Sequence, residues 1–175
     1  MDEKTRDGIL RYNKVLNETD VWPLHITRVV CEAAGMIRRR KNRFQLAKDA
    51  KGLLADSHAG ELYYRLFWAY FTKFNLSYLD GLPDLHSVQQ TIVYTLYKLS
   101  RMADTFTPLD QLADALFLPA VIQEIHTQFP QHARLHWLLE SRIARPLRDF
   151  ALLECTYEQT NVYTQVHEVL SLIHI

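Results

Sequence analysis

The stretch Leu62 to Phe74 carries Tyr63, Tyr64, Phe67, Trp68, Tyr70, Phe71 and Phe74, seven aromatics in thirteen residues. It holds neither glycine nor proline, and its pattern predicts a helix. The rings do not keep to one stripe, so such a helix needs apolar neighbours on several sides. Each ring removes a large apolar area from water when buried, which makes this segment the expected centre of a helical core. A ligand pocket lined by the rings, or a surface for self-association, are the alternative uses.

Further helices are predicted over 3–16, 24–34, 47–55, 85–102, 107–117, 120–129, 132–150 and 165–173. Trp22-Pro23 predicts an extended lead-in to the second of these, because the residue before proline avoids the α region. Gly35 stands where a helix C′ residue belongs. Thr107-Pro108 reads as an N-cap followed by proline at the first helical position. Pro146 cannot donate to its i−4 carbonyl, so a kink or restart is expected there.

Two hairpins are predicted between the helices. In the first, Phe44 and Leu46 alternate with Arg43 and Gln45, the period of a half-buried strand, and Lys41-Asn42 forms the turn. In the second, strands over 151–156 and 162–164 flank a turn at Glu158-Gln159-Thr160-Asn161. The predicted class is therefore mainly α, a helical bundle with one or two short β-hairpins. Three stretches are expected, an N-terminal unit over 1–56, an aromatic-rich bridge over 57–106 and a C-terminal unit over 107–175, packed as one compact body.

Hydrophobic residues make up 48% of the chain, which excludes intrinsic disorder. Lys+Arg and Asp+Glu number 20 each, which excludes a globally basic nucleic-acid binder and leaves only a local patch open. Cys31 and Cys155 sit in apolar stretches without CxxC spacing and read as buried thiols in a reducing compartment. The opening residues Met1-Asp2-Glu3-Lys4-Thr5-Arg6-Asp7 are polar and mixed in sign, so no secretory leader is expected. No apolar run approaches the roughly 20 residues needed to span a bilayer. A cytoplasmic location and no membrane partner are the resulting expectations.

Two segments echo each other in order: helix, short hairpin, helix. One runs from Leu24 through Gly35-Met36-Ile37 and Phe44-Gln45-Leu46 to Leu53-Leu54. The other runs from Ile143 through Ala151-Leu152-Leu153 and Val162-Tyr163-Thr164 to Leu172. In each, a helix ends on a small residue and a strand starts with two apolar ones. The pattern resembles the second half of winged-helix domains, over residues 24–55 and 142–173. That resemblance implies a recognition-type helix followed by a wing, a unit that serves as DNA reader, protein dock or structural element. The stretch Leu66 to Asp80, followed by Val88-Gln89-Gln90-Thr91, resembles the helical region of uncharacterised bacterial proteins of a plasmid-encoded type. It implies no residue roles.

Charge is concentrated in the first hairpin, where Arg38, Arg39, Arg40, Lys41 and Arg43 fall within six residues. Such a wing can lie along phosphates. The alternative is a solvated hairpin whose charges keep its edges from pairing with other chains, or one that docks on acidic residues of the same chain. The helix before it offers Arg28 but no Asn or Gln for adenine, which argues against sequence-specific reading. Arg142, Arg145 and Arg148 repeat every third residue in the second unit, with Glu140 and Asp149 available to neutralise them. These nine cations are the candidate nucleic-acid contacts.

Enzymatic signatures are missing. His132 and His136 stand at i, i+4 and could share an ion with His126 or Glu140, but no Glu follows His132, so the HExxH arrangement is not made. GxSxG, SxxK, GxxxxGK[ST] and GxGxxG do not occur. Asp80 and Asp84 flank turn-forming residues and read as turn chemistry. No catalytic residue, metal or cofactor is expected. The leading reading is a non-enzymatic helical interaction module that docks on a protein partner or on a second copy. The alternative is a DNA-binding winged-helix protein that sets the Arg38–Arg43 wing on phosphates.

Overall fold

The structure is a computed structural model and describes residues 17–129, 135–159 and 164–173, with Arg6, Gly8, Arg11 and Val15. The helix predicted over 3–16 and the residue His132 lie outside the described residues in whole or in large part. The chain is mainly α with two small antiparallel sheets, as expected. It divides into two compact units, Met1–Phe74 and Asn75–Ile175.

In the first unit, α1 (Trp22–Ala33) follows a single 3-10 turn at Glu18–Asp20. The expected extended lead-in does not form, because Pro23 sits inside the first turn of α1, where its missing N–H has no intrahelical acceptor to lose. Gly35 closes α1 at φ 70. Its N–H reaches Glu32 O at 2.9 Å while Met36 N–H reaches Cys31 O at 2.9 Å, the paired bonds of a Schellman cap.

The chain then turns directly into β1 (Ile37–Arg40) and β2 (Arg43–Leu46). Lys41 and Asn42 join them with φ of 49 and 57, both left-handed, which fits the right-handed twist of a tight hairpin. The helix expected over 47–55 is replaced by turns and two 3-10 turns at Gly52–Leu54 and Asp56–His58. The Ala47 N–H bonds Met36 O at 2.7 Å and so extends the base of the hairpin instead of starting a helix.

The aromatic helix, α2 (Ala59–Thr72), packs on α1. Its Ala69 joins Ala34, Met36, Ala47 and Ala50 in a buried cluster, with Cys31, Leu46, Leu62 and Leu66 against it. Small residues here let the hairpin base and both helices approach closely. Burial on several sides holds only at the end of the aromatic run, where Tyr70, Phe71 and Phe74 are enclosed, whereas Tyr63, Tyr64 and Trp68 are exposed.

The second unit begins with a 3-10 turn at Leu76–Leu79 and a loop through Gly81 (φ 69). The helix expected over 85–102 is broken into α3 (His86–Gln90) and α4 (Ile92–Met102). At the break, the Thr91 hydroxyl donates to Ser87 O at 2.7 Å, a back-bond that bends a helix. Thr107 and Pro108 form the short strand β3 rather than a cap, and α5 (Leu109–Leu116) starts after them. Buried Thr95 on α4 donates to Leu116 O at 3.0 Å and ties α4 to the end of α5. The helix α6 (Pro119–Gln128) matches its expected span within a residue.

One continuous helical segment follows: α7 (Leu135–Leu139), a π-helical turn at Glu140–Ala144 and α8 (Arg145–Asp149). The expected irregularity is present, but it occupies the turn before Pro146. Proline leaves the Arg142 carbonyl without its i+4 donor, and the Arg145 N–H reaches back five residues to Glu140 O. Ala151 closes α8 at φ 56, with Ala151 N–H on Arg148 O and Leu152 N–H on Leu147 O, each 2.8 Å. This is a second Schellman cap leading into a strand, so the echo in the sequence is an echo in backbone geometry.

Strand β4 (Leu153–Gln159) pairs with β5 (Thr164–Ser171), and β5 also pairs with β3, giving the order β3-β5-β4. The helix expected over 165–173 is therefore a strand. The winged-helix likeness is limited to helix-then-hairpin order, since neither hairpin is followed by the predicted helix.

Candidate functional site

Two strands of four residues and a two-residue turn place the basic run of the first unit. The register pairs Ile37 with Leu46, Arg38 with Gln45, Arg39 with Phe44 and Arg40 with Arg43. Strand alternation then sorts the side chains into two faces. One face holds Ile37, Leu46, Arg39 and Phe44, and its inner end rests on the core through half-buried Ile37 and Leu46. The other holds Arg38, Arg40, Arg43 and Gln45, all exposed. Lys41 stands exposed at the tip.

Arg40 and Arg43 are directly opposed, and like charges across a strand pair destabilise it. Among the described residues, Arg38, Arg40, Lys41 and Arg43 form no salt bridge. Arg39 donates from Nη2 to Asn42 Oδ1 at 3.3 Å. Asp49 is held below its ordinary range by its own backbone hydrogen bond and by Arg65, with Arg38 adding a smaller attraction. Among the described residues, Arg40, Lys41 and Arg43 thus keep their charge without an acidic partner, and Arg38 has only the weak attraction of Asp49.

Arg28 belongs to a different arrangement. Its Nε donates to Glu18 Oε1 at 2.6 Å, its Nη1 bonds Glu32, and its guanidinium lies 5.2 Å from the centre of the Phe44 ring. His25 Nδ1 lies 2.7 Å from the same Glu18 oxygen. The hydrogen bonds from Arg28 and then from His25 hold the Glu18 carboxyl below its usual range. Arg28 is locked to its own unit by two carboxylates and lies against the Phe44 ring.

The three arginines of the second unit do not form a phosphate-facing stripe. Arg142 is wholly buried, with Nε and Nη2 on Asp80 at 2.7 and 2.8 Å. It is therefore removed from the candidate contacts. Burial of such a group is tolerable because Asp80 and the carbonyls of Leu82 and Pro83 accept from its Nε and Nη2. Asp80 also accepts from Leu82 N and Ser141 Oγ, so the turn chemistry expected of it is present and extended to a distant helix. Arg145 donates to Glu140 and to Thr164 O, and Arg148 bonds Asp149 and Tyr157. Both are engaged in pairs within the unit.

A cleft of about 480 Å³ in the second unit went unnoticed in the sequence. Asp110, Gln111, His136, Glu158, Gln165 and His167 line it, from a helix start, a helix and two strands. No spacing signal joins residues so far apart in the chain. His136 Nε2 is buried there without a hydrogen bond, 3.8 Å from Glu140 Oε2. Glu140 Oε1 meanwhile accepts from Arg145 Nε at 2.9 Å and from Val166 N at 3.1 Å. No three His, Cys, Asp or Glu are placed to hold a metal ion among the described residues. Cys31 and Cys155 are half-buried free thiols, both pushed above the ordinary thiol range by desolvation.

Residues 2–60 match the family model of the Y4jL N-terminal domain, a family of uncharacterised bacterial proteins. The match covers a third of the chain and includes α1 and the whole basic hairpin. Among curated proteins and among solved structures, nothing matches. No helix among the described residues is long and apolar enough to cross a membrane.

Proposed function

We propose that the chain is a non-enzymatic binding module whose β1–β2 hairpin sets its cationic face on the phosphate backbone of nucleic acid. The observation that carries this reading is the direct opposition of Arg40 and Arg43 beside Lys41, none of which forms a salt bridge among the described residues. An arrangement that repels itself is relieved by a polyanion, and counterion release from the phosphates supplies affinity without base contacts. The winged-helix order of α1 and hairpin is compatible with it, with the hairpin rather than α1 as the contacting element.

The test is fluorescence anisotropy on a mixed-sequence duplex across a salt series. Four phosphate contacts give a log–log salt slope of about −4 for duplex DNA. Replacing Arg38, Arg40 and Arg43 together by Gln is expected to remove about three units of that slope. Unchanged affinity in the triple variant sinks the reading.

A second reading, docking on a protein partner, is favoured by Tyr64 and Trp68 on α2. They stack at i, i+4 with ring centres 6.3 Å apart and are 62% and 45% exposed. Apolar docking of that kind need not weaken as salt rises, so the same salt series separates the two. A cytoplasmic location suits either.

A further inference from the structure

Phe44 is an apolar ring on the tip half of a hairpin otherwise occupied by cations and amides. It is 47% exposed and is not part of the buried cluster under the hairpin. Core packing therefore does not account for its placement. Its neighbours are specific: Arg39 is its direct cross-strand partner, and Arg28 lies against its ring from α1. Arg28 cannot swing away freely, because Glu18 and Glu32 both hold it. The ring is thus presented in a fixed position, open to solvent over part of its surface, with positive charge beside it.

We infer that the hairpin prefers single-stranded nucleic acid, with one unpaired base stacked on Phe44 and the adjoining phosphate on Arg39. This rests on the phosphate-binding reading of the same hairpin. Bases in a duplex are stacked on each other and offer no free face to a phenyl ring. An unpaired strand offers both a face and a phosphate within one nucleotide, and the Arg39–Phe44 pair receives both. Past Lys41 at the tip the strand reaches Arg40 and Arg43, which stand on the other face of the hairpin. Stacking on an aromatic ring is tolerant of sequence, which agrees with the lack of base-reading amides on α1.

The experiment compares three labelled probes of equal length at one salt concentration: a mixed-sequence single strand, its duplex and an abasic phosphodiester strand. The intact chain is expected to bind the single strand roughly tenfold more tightly than either of the others. Phe44→Ala is expected to abolish that difference while leaving duplex affinity unchanged, and Phe44→Tyr to keep it. Because Phe44 lies outside the buried cluster, neither variant disturbs the core. Equal affinity of the intact chain for all three probes overturns the stacking inference and leaves phosphate binding standing. So does a Phe44→Ala variant that weakens single strand and duplex alike. Failure to bind any probe overturns the phosphate reading and the stacking inference together.

Discussion

Arg142 and Asp80 meet as a two-pronged ion pair across 62 residues of sequence, with side chains only 1% and 0% exposed. The π-helical turn at Glu140–Ala144 makes this possible, because its extra residue turns Arg142 inward beside Glu140. A buried charge that loses its partner has no water to replace it. Asp80→Ala and Arg142→Ala should therefore each destabilise the second unit by about 3–5 kcal/mol. An apolar pair of similar volume, Asp80→Leu with Arg142→Met, should recover much of that loss. Urea unfolding of the three variants checks it, and a single variant within about 1 kcal/mol of the intact chain refutes it.

The two Schellman caps give opposite expectations for one exchange. Gly35 and Ala151 both have left-handed backbone, at φ 70 and 56, but only one is glycine. Gly35→Ala should cost about 1 kcal/mol through backbone strain alone, since a methyl group there meets nothing within 4 Å. Ala151→Gly should raise stability by up to about 1 kcal/mol. Thermal midpoints that move in the same direction for both would contradict this.

Opposed arginines should trade stability against binding. Arg43→Glu turns the Arg40–Arg43 contact into an attractive cross-strand pair, worth about 0.2–1 kcal/mol. The same change removes a phosphate contact and adds a repelling charge. A variant that is more stable and binds nucleic acid less well is the expected result; one that binds as well as the original would contradict the hairpin reading.

Acid should loosen α1 from the turn before it. The Glu18 carboxyl is held below its ordinary value in the folded chain, so its contribution is present above the unfolded value and is lost as pH falls through the folded one. Glu18→Gln should be the less stable protein at neutral pH, and the gap should narrow as the pH falls below the ordinary glutamate range and through the lowered folded-state value. Stability curves at several pH values test this, and a gap that persists in acid refutes it.

The family match ends at residue 60, whereas the cluster it helps form takes Ala69, Leu62 and Leu66 from α2. A fragment ending at 60 should thus lack cooperative unfolding, and one ending just past Phe74 should regain it. Calorimetry of the two fragments decides the matter.

Local chemistry was well written in the sequence. Gly35 announced its cap, Lys41-Asn42 their turn, and the Phe44 and Leu46 alternation its strand. Tertiary pairing was not. Val166 and Val169, three apart, look helical, yet both point inward from β5. The register explains it: between the pairs Cys155–Val169 and Tyr157–Val166, β5 advances three residues while β4 advances two. A bulge shifts strand periodicity toward that of a helix. Likewise, nothing in the spacing of Arg142, Arg145 and Arg148 foretold the π turn that buries the first of them. The basic hairpin could be read because all its parts are neighbours in sequence, and the cleft beside His136 could not because its walls are not.

The middle strand of the three-stranded sheet has one more consequence. β5 leaves the ribosome long after β3, so β3 waits with an unpaired edge until it is made, while β4 meets β5 almost at once. During translation the three-stranded sheet is therefore completed only when β5 is added to β3, whereas the hairpin of the first unit, whose partners are separated only by Lys41 and Asn42, can close as it emerges.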